Sequence, residues 1–297
     1  AGATARHRPW SPCSATHRRS QNRSPPAARI PQAKGIRTAE CNLDGYADFS
    51  CDGKFDAFLH LAWDKTFGAA RDDASTQLAN IGYTLDAVRL AKRLGCSVFI
   101  GAGSQAEYGV QSVDLTPDLP VQPESGYGIA KFTAGKLGAL LAAQLGIRFN
   151  WLRILSVYGR GDGENSLISY AIRELKAGRT PEFSPCGQIW DYLNADDAAR
   201  AFLAVADRGV NGRTYPLGSG QGRPLADYLC NIRDIINPSA ELGFGRRDYY
   251  PHQPMHLVAD ISALTADTGW KPVVAFTDGI QEILGEEHNV SKFIRHT

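Results

Sequence analysis

The chain has 297 residues, of which 43% are apolar, and a formal net charge of +1. That balance fits one compact α/β unit with a smaller lobe rather than two independent domains, and no stretch reaches the roughly 20 apolar residues that a membrane span needs. The six cysteines, Cys13, Cys41, Cys51, Cys96, Cys186 and Cys230, show no metal-like pairing and read as the reduced thiols of a cytoplasmic protein.

Charge is distributed unevenly. Residues 1–39 carry eight Lys/Arg and no acid, so this +8 leaves −7 for residues 40–297. Residues 1–35 read as an irregular basic arm, rich in Ser, Pro and Arg. Such a composition suits an organelle transit peptide or a tail that docks on nucleic acid or other phosphate-rich partners, of which nucleic acid is the less expected. Beyond it the pattern becomes regular. Strands are predicted near 39–43, 56–62, 96–101 and 148–155, and helices near 75–94, 127–145, 165–177 and 195–207. This alternation argues a parallel sheet with helical crossovers. Asp196-Asp197 place carboxylates at a helix start, and Gly146 and Gly178 close two helices. A return strand is expected over 213–218.

The chemistry sits on the middle elements. Ser104 ends the apolar run Cys96-Ser-Val-Phe-Ile-Gly101, and Tyr127 and Lys131 follow in Tyr-Gly-Ile-Ala-Lys. Residues four apart on a helix share a face, so Tyr127 and Lys131 point the same way. A phenol needs a shift of roughly three units, about 4 kcal/mol, to act as a base at neutrality. A neighbouring ammonium supplies that preference. With a serine hydroxyl to bind the reacting oxygen, the trio suits acid/base chemistry at a carbinol or carbonyl carbon. The hydride acceptor it lacks implies a nicotinamide cofactor, NAD or NADP. A lone Tyr-x-x-x-Lys arises by chance in roughly one chain of this composition in three, so the surroundings decide.

Those surroundings form an ordered series. Phe55-Asp-Ala-Phe-Leu-His-Leu-Ala-Trp63, Asn80-Ile-Gly-Tyr-Thr, Gly103-Ser-Gln-Ala-Glu-Tyr-Gly109, Trp151-Leu-Arg-Ile-Leu-Ser-Val-Tyr-Gly159, Trp190-Asp-Tyr-Leu-Asn-Ala-Asp-Asp197 and Gly269-Trp-Lys-Pro272 occur in sequence. From about residue 36 to 285 this resembles the extended short-chain dehydrogenase/reductase family, the NAD-dependent nucleotide-sugar epimerases, dehydratases and reductases. The resemblance implies an α/β fold, a Rossmann-like doubly wound parallel sheet with a smaller C-terminal substrate lobe. The dinucleotide-binding domain would be 36–155, with 188–220 returning to it, and the lobe 156–187 and 221–297.

Carried over by position, the resemblance implies Tyr127 as general acid/base, Lys131 as its electrostatic partner and ribose ligand, and Ser104 on the reacting sugar oxygen. Asn42, Leu43, His60, Leu61, Ala62, Trp63, Asn80 and Ile154 would border the cofactor. Gln105, Ser156, Tyr158, Trp190 and Asp191 would face the nucleotide-sugar. The plainer readings are a core histidine for His60, which is preferred, a helix cap for Asn80 and packing for Trp190. By family habit the helices 75–94 and 127–145 would form a homodimer face.

Departures narrow the chemistry. Gln105-Ala106 stands where the 4,6-dehydratases carry an Asp-Glu pair, and neither residue can move a proton. Trp190 stands where many 4-epimerases place an arginine on the pyrophosphate, leaving Arg160 or Arg153 for that task. Reduction or epimerisation at a sugar carbon remains, with a leaning toward deoxysugar ketoreductases of the CDP-abequose synthase type. The glycine-rich turn that holds the cofactor pyrophosphate is missing, since no glycine lies between Gly2 and Gly35. Gly2-Ala-Thr resembles the start of that turn, which favours a third reading of the arm, a frameshifted first strand and helix. That reading predicts an exposed sheet edge and weakened cofactor binding. Its alternative outcome is a catalytically inactive relative that keeps only the fold and its binding of a partner or nucleotide-sugar.

Overall fold

The computed structural model describes residues 13–16, 36–251 and 253–285. The chain divides into two compact units, Ala1–Ala102 with Ser125–Asn150, and Gly103–Glu124 with Trp151–Thr297. This partition differs from the division by function set out above. The basic arm lies outside the described residues except at Cys13–Thr16, which forms a strand, β1.

In the first unit β1 pairs in parallel with β2 (Arg37–Glu40) in a two-stranded sheet of its own, Cys13 opposite Arg37. A separate four-stranded sheet begins with β3 (Ala57–His60), which pairs in parallel with β4 (Val98–Ser104), Ala57 opposite Val98. Among the described residues β3 is the end strand of that sheet, and its Leu59 is 39% exposed.

Every residue of β4 is buried, the mark of a strand covered on both faces. Phe99 on β4 stacks against Phe58 on β3 and against Phe149, with ring centroids 5.7 and 5.5 Å apart. Helix α1 (Ala74–Arg93) starts where the Asp73 carboxylate accepts from Thr76 N at 2.8 Å. Helix α2 (Gly126–Leu145) starts where the Ser125 hydroxyl accepts from Gly128 N at 3.1 Å, and it stops at Gly146 with φ 66°. Its buried face is made of small residues with one exception, Lys131. A Cβ at Gly138 would stand 3.1 Å from the Phe149 ring, so glycine there lets the helix lie close to β5 (Arg148–Ile154).

In the second unit β5 pairs in parallel with β9 (Thr214–Leu217), Trp151 opposite Thr214, which completes the sheet order β3-β4-β5-β9. β6 (Ser156–Tyr158) pairs in parallel with β8 (Tyr192–Asn194). β7 (Ile189–Trp190) lies between β10 (Arg223–Pro224) and β11 (His256–Leu257).

The helices of this unit are α3 (Leu167–Lys176), α4 (Ala195–Arg208), α5 (Leu225–Ile236), α6 (Ser262–Thr268) and α7 (Phe276–Leu284). A core that includes Tyr158, Ile172, Phe183, Leu229, Ile232 and Ile280 holds α3, α5 and α7 together. The α4 start carries its carboxylates as expected, but the cap is Asn194, which accepts from Asp196 N at 2.8 Å. Asp197 is fully buried and accepts from Val273 N and Val274 N, both at 2.9 Å, so it anchors a distant segment rather than only a helix dipole.

Candidate active site

Tyr127 and Lys131 occupy the first turns of α2, whose start is fixed twice. Ser125 caps it, and the Asp72 carboxylate accepts from Gly126 N at 2.7 Å. Lys131 is only 3% exposed and donates to Ala102 O at 2.6 Å. Its ammonium lies 3.9 Å from the Trp63 ring centroid and 5.7 Å from that of Tyr127. Trp63 meets Tyr127 edge to face at 6.0 Å. The expected pair and Trp63 are therefore brought together in the first unit. One member was not foreseen: the Arg71 guanidinium lies 4.9 Å from the Tyr127 ring centroid.

The loop that carries Trp63 is held by α1. Trp63 Nε1 donates to Gln77 Oε1 at 3.0 Å, and Gln77 Nε2 donates to Lys65 O at 3.1 Å. Asn80 accepts from Asp64 N at 2.9 Å and donates to Asp64 O at 3.0 Å, as a backbone neighbour would. Asn80 is thus neither a helix cap, the plainer reading, nor exposed toward a ligand: it is 1% exposed within α1, and its amide supports the loop.

His60 is a core histidine, as preferred from sequence. Burial, with a contribution from the Lys131 charge, pushes it down to about 3. Thr84 Oγ1 donates to Asn80 O, so the 3.4 Å contact between Thr84 Oγ1 and His60 Nε2 assigns the ring proton to Nε2. Of the other positions expected near the cofactor, Asn42 is exposed at the start of a 3-10 turn, Leu43 is buried, Leu61 is 60% exposed, and Ala62 and Ile154 are half-buried.

Ser104 belongs to the second unit and ends β4. Its hydroxyl accepts from Ala106 N at 3.2 Å, which leaves its proton to donate, and its N–H donates to Glu107 Oε1 at 2.8 Å. Gln105 follows, half-buried. Glu107 is 1% exposed and also accepts from Trp151 Nε1 and Arg153 Nε, both at 2.8 Å. Arg153 lies over the Tyr108 ring at 4.5 Å. This corrects the expectation of Arg153 as a phosphate ligand: a buried guanidinium that neutralises a buried carboxylate fixes the serine turn instead. Arg160, the other candidate, is a mostly exposed partner of Glu282 at 3.4 Å. The Glu107 network left a trace in the sequence only at Gly103, where a Cβ would stand 2.3 Å from Trp151 Nε1 and 2.5 Å from Glu107 Oε1.

A cavity of about 600 Å³ opens in the second unit. Ser156 and Trp190 line it, joined by a 2.8 Å bond from Trp190 Nε1 to Ser156 Oγ. Arg173 and Arg247 also line it, each with its guanidinium 5.4 Å from the Tyr170 ring centroid.

Gln188, another lining residue, is 4% exposed and has a buried Oε1 that finds no donor among the described residues. Sequence reasoning missed it because an isolated glutamine carries no spacing signal. Two expected substrate contacts are corrected. Asp191 is fully buried, and its carboxylate accepts from Ser219 N, Ser219 Oγ, Gly220 N and Ala259 N at 2.5 to 3.1 Å. Burial pushes that carboxyl up while these donors pull it down. Tyr158 is 2% exposed, sits in the core and donates to Phe276 O at 3.2 Å.

A parallel α/β sheet of this order is that of a Rossmann-type fold. The sequence model of the NAD dependent epimerase/dehydratase family matches residues 11–218, and the chain belongs to that family. The match begins inside the basic segment.

CDP-abequose synthase of Salmonella typhimurium is 28% identical over 80% of this chain and 78% of its own length. GDP-6-deoxy-D-mannose reductase of Pseudomonas aeruginosa is 26% identical over 78% of this chain and 80% of its own. Among solved structures, RMD from Pseudomonas aeruginosa complexed with NADPH superposes with a TM-score of 0.73 at 23% identity, covering 88% of this chain and 91% of that one. UDP-glucuronic acid 4-epimerase from Bacillus cereus in complex with NAD gives 0.72 at 20%, covering 86% and 81%. These likenesses show the Rossmann fold. Among the described residues no helix is long and apolar enough to cross a membrane, and no cluster of ligating side chains suits a metal.

Proposed function

We propose that this chain reduces or epimerises a nucleotide-activated deoxysugar with NAD or NADP. The observation that carries the reading is the buried ammonium of Lys131 beside Tyr127, held by Ala102 O at 2.6 Å on a helix start pinned by Asp72 and Ser125. A buried lysine is tolerated where its charge has a task, and favouring the Tyr127 phenolate is such a task.

The residues present fit the nicotinamide end of the cofactor. Arg71 has a buried Nε with no acceptor among the described residues, so the cluster has capacity left for an oxygen-rich ligand. Lys131 and Tyr127 would hold the ribose, with Asn42, Leu61 and Ile154 bordering the dinucleotide. When bound, the nicotinamide supplies or accepts the hydride. Tyr127 then moves the proton at the sugar oxygen, and Lys131 lowers the cost of its phenolate.

The nucleotide portion suits the cavity of the second unit, where Ser156, Trp190 and Gln188 line the wall and a diphosphate would draw Arg173 and Arg247 from their partners Glu174 and Glu182, at 3.2 and 3.8 Å. Gln105-Ala106 argues against dehydration. Exposed Leu78 on α1 and Ile129, Leu137 and Leu140 on α2 support a homodimer face on those helices.

A second reading is a relative that keeps the fold but not the turnover. The absence of any glycine from residue 3 to residue 34 favours it. Assay of NADH and NADPH oxidation with CDP-, dTDP- and GDP-linked 4-keto-6-deoxysugars separates the two readings. Turnover in the wild type that disappears in Tyr127→Phe supports the enzyme, and absence of turnover from both chains supports the inactive relative.

A further inference from the structure

Arg71 is the cation in the first unit whose position the acid/base pair does not explain. It lies in a 3-10 turn, Ala69–Asp72, between β3 and α1. Its guanidinium carbon stands 4.9 Å from the centre of the Tyr127 ring. The residue is half-buried, and its Nε is shielded from solvent with no acceptor among the described residues. A shielded N–H without an acceptor is costly. Three contacts keep it there. Asp72, the next residue, is bonded to Gly126 N, the residue before Tyr127. A Cβ on Gly126 would stand 3.2 Å from Asp72 Cα and 3.5 Å from Arg71 O, so the two segments touch through backbone. The Tyr127 ring itself offers its face.

We propose that Arg71 is a positioning residue that acts through Tyr127, a second and permanently charged cation that favours the tyrosine's phenolate from the side opposite in sequence to Lys131. The attraction of a cation for an aromatic face grows when the ring becomes an anion, because the negative potential of the face is then added to a full charge. Arginine keeps its charge at every pH the reaction uses, whereas lysine loses its charge readily when buried. The charged and titratable groups that the structure places near the phenol include Lys131 on its own helix, Arg71 and Asp72 on the turn, and the neutral His60 beyond Lys131 on β3. The Asp72 carboxylate is already engaged by Gly126 N.

The inference rests on the reading of Tyr127 as acid/base, yet its test requires neither cofactor nor turnover. Ultraviolet titration of the full chain follows the phenolate band in the wild type, Tyr127→Phe, Arg71→Gln and Arg71→Lys, with Arg71→Met replacing Arg71→Gln if circular dichroism shows the latter unfolded. The wild-type signal minus that of Tyr127→Phe isolates one phenol. It is expected to titrate below the ordinary tyrosine value of about 10. Removing the Arg71 charge raises that midpoint by about one pH unit, a tenfold fall in phenolate at neutrality, and Arg71→Lys keeps it near the wild-type value. A midpoint indifferent to Arg71→Gln, or moved equally by Arg71→Lys, overturns the role of Arg71 and leaves Tyr127 intact. A phenol that titrates at its ordinary value in every chain overturns both.

Discussion

Around Tyr127, in the first unit, Lys131 faces a carbonyl and two aromatic rings and Arg71 faces a ring, while around Glu107, in the second, the carboxylate meets Arg153 and Trp151 at 2.8 Å. Lys131 and Glu107 are both buried, while Tyr127, Trp63 and Arg71 are half-buried. The difference lies in charge balance. Glu107 accepts from Ser104 N, Trp151 and Arg153, so its charge is neutralised, and Arg153 keeps one buried nitrogen, Nη1, without an acceptor among the described residues. Such a group specifies a turn. The Tyr127 cluster sets the cations Lys131 and Arg71 beside a phenol, which is an arrangement for a ligand or a reaction rather than for stability. Asp191 belongs with Glu107, since four protein donors complete its shell.

Breaking the first cluster should abolish chemistry and spare the fold. Tyr127→Phe is expected to lower turnover by about 100-fold to 10,000-fold, with an unfolding midpoint in urea close to that of the wild type. Breaking the second should cost stability first. Glu107→Gln leaves Arg153 buried without its counter-ion, a loss of about 3–5 kcal/mol readable in urea unfolding, and any fall in turnover beyond the fall in folded fraction reports the displaced Ser104 turn.

A smaller effect tests the cavity. Replacing Arg173 and Arg247 together by alanine should raise KM for a nucleotide-sugar by about tenfold or more with kcat nearly unchanged, measured by steady-state kinetics.

An effect confined to acid pH concerns His60, whose native value of about 3 lies below its unfolded value of 6.5. The unfolded chain therefore binds the proton first. This contribution is fully present above pH 6.5 and declines as pH falls toward 3, by about 1.4 kcal/mol per unit. His60→Asn should flatten that part of a stability–pH curve relative to the wild type.

The elements of the fold were legible because each carries a periodic or punctuating signal. The uninterrupted run ending at Ser104, the small-residue helix after Ser125 and the stop at Gly146 fall within a few residues of their expected places. The tyrosine and lysine were legible for the same reason, since a helix turns any four-residue spacing into one face. Asp191, Tyr158 and Arg153 were misread because a motif gives a residue's order and not its burial. Whether a carboxylate meets solvent or four backbone and hydroxyl donors is decided by chain segments 28 and 68 residues away. Arg71 was illegible because its contact to Tyr127 depends on a 3-10 turn with no periodicity. Gln188 had no pattern at all.

The account's central claim is that the Tyr127, Lys131 and Trp63 cluster is the nicotinamide end of a cofactor site. The most direct test is the change in tryptophan fluorescence on titration with NADH and NADPH, in the wild type and in Trp63→Phe. The account predicts a saturable change with one of the two nucleotides that is lost or sharply reduced in Trp63→Phe. No saturable change up to millimolar nucleotide, or an identical change in both chains, would contradict it.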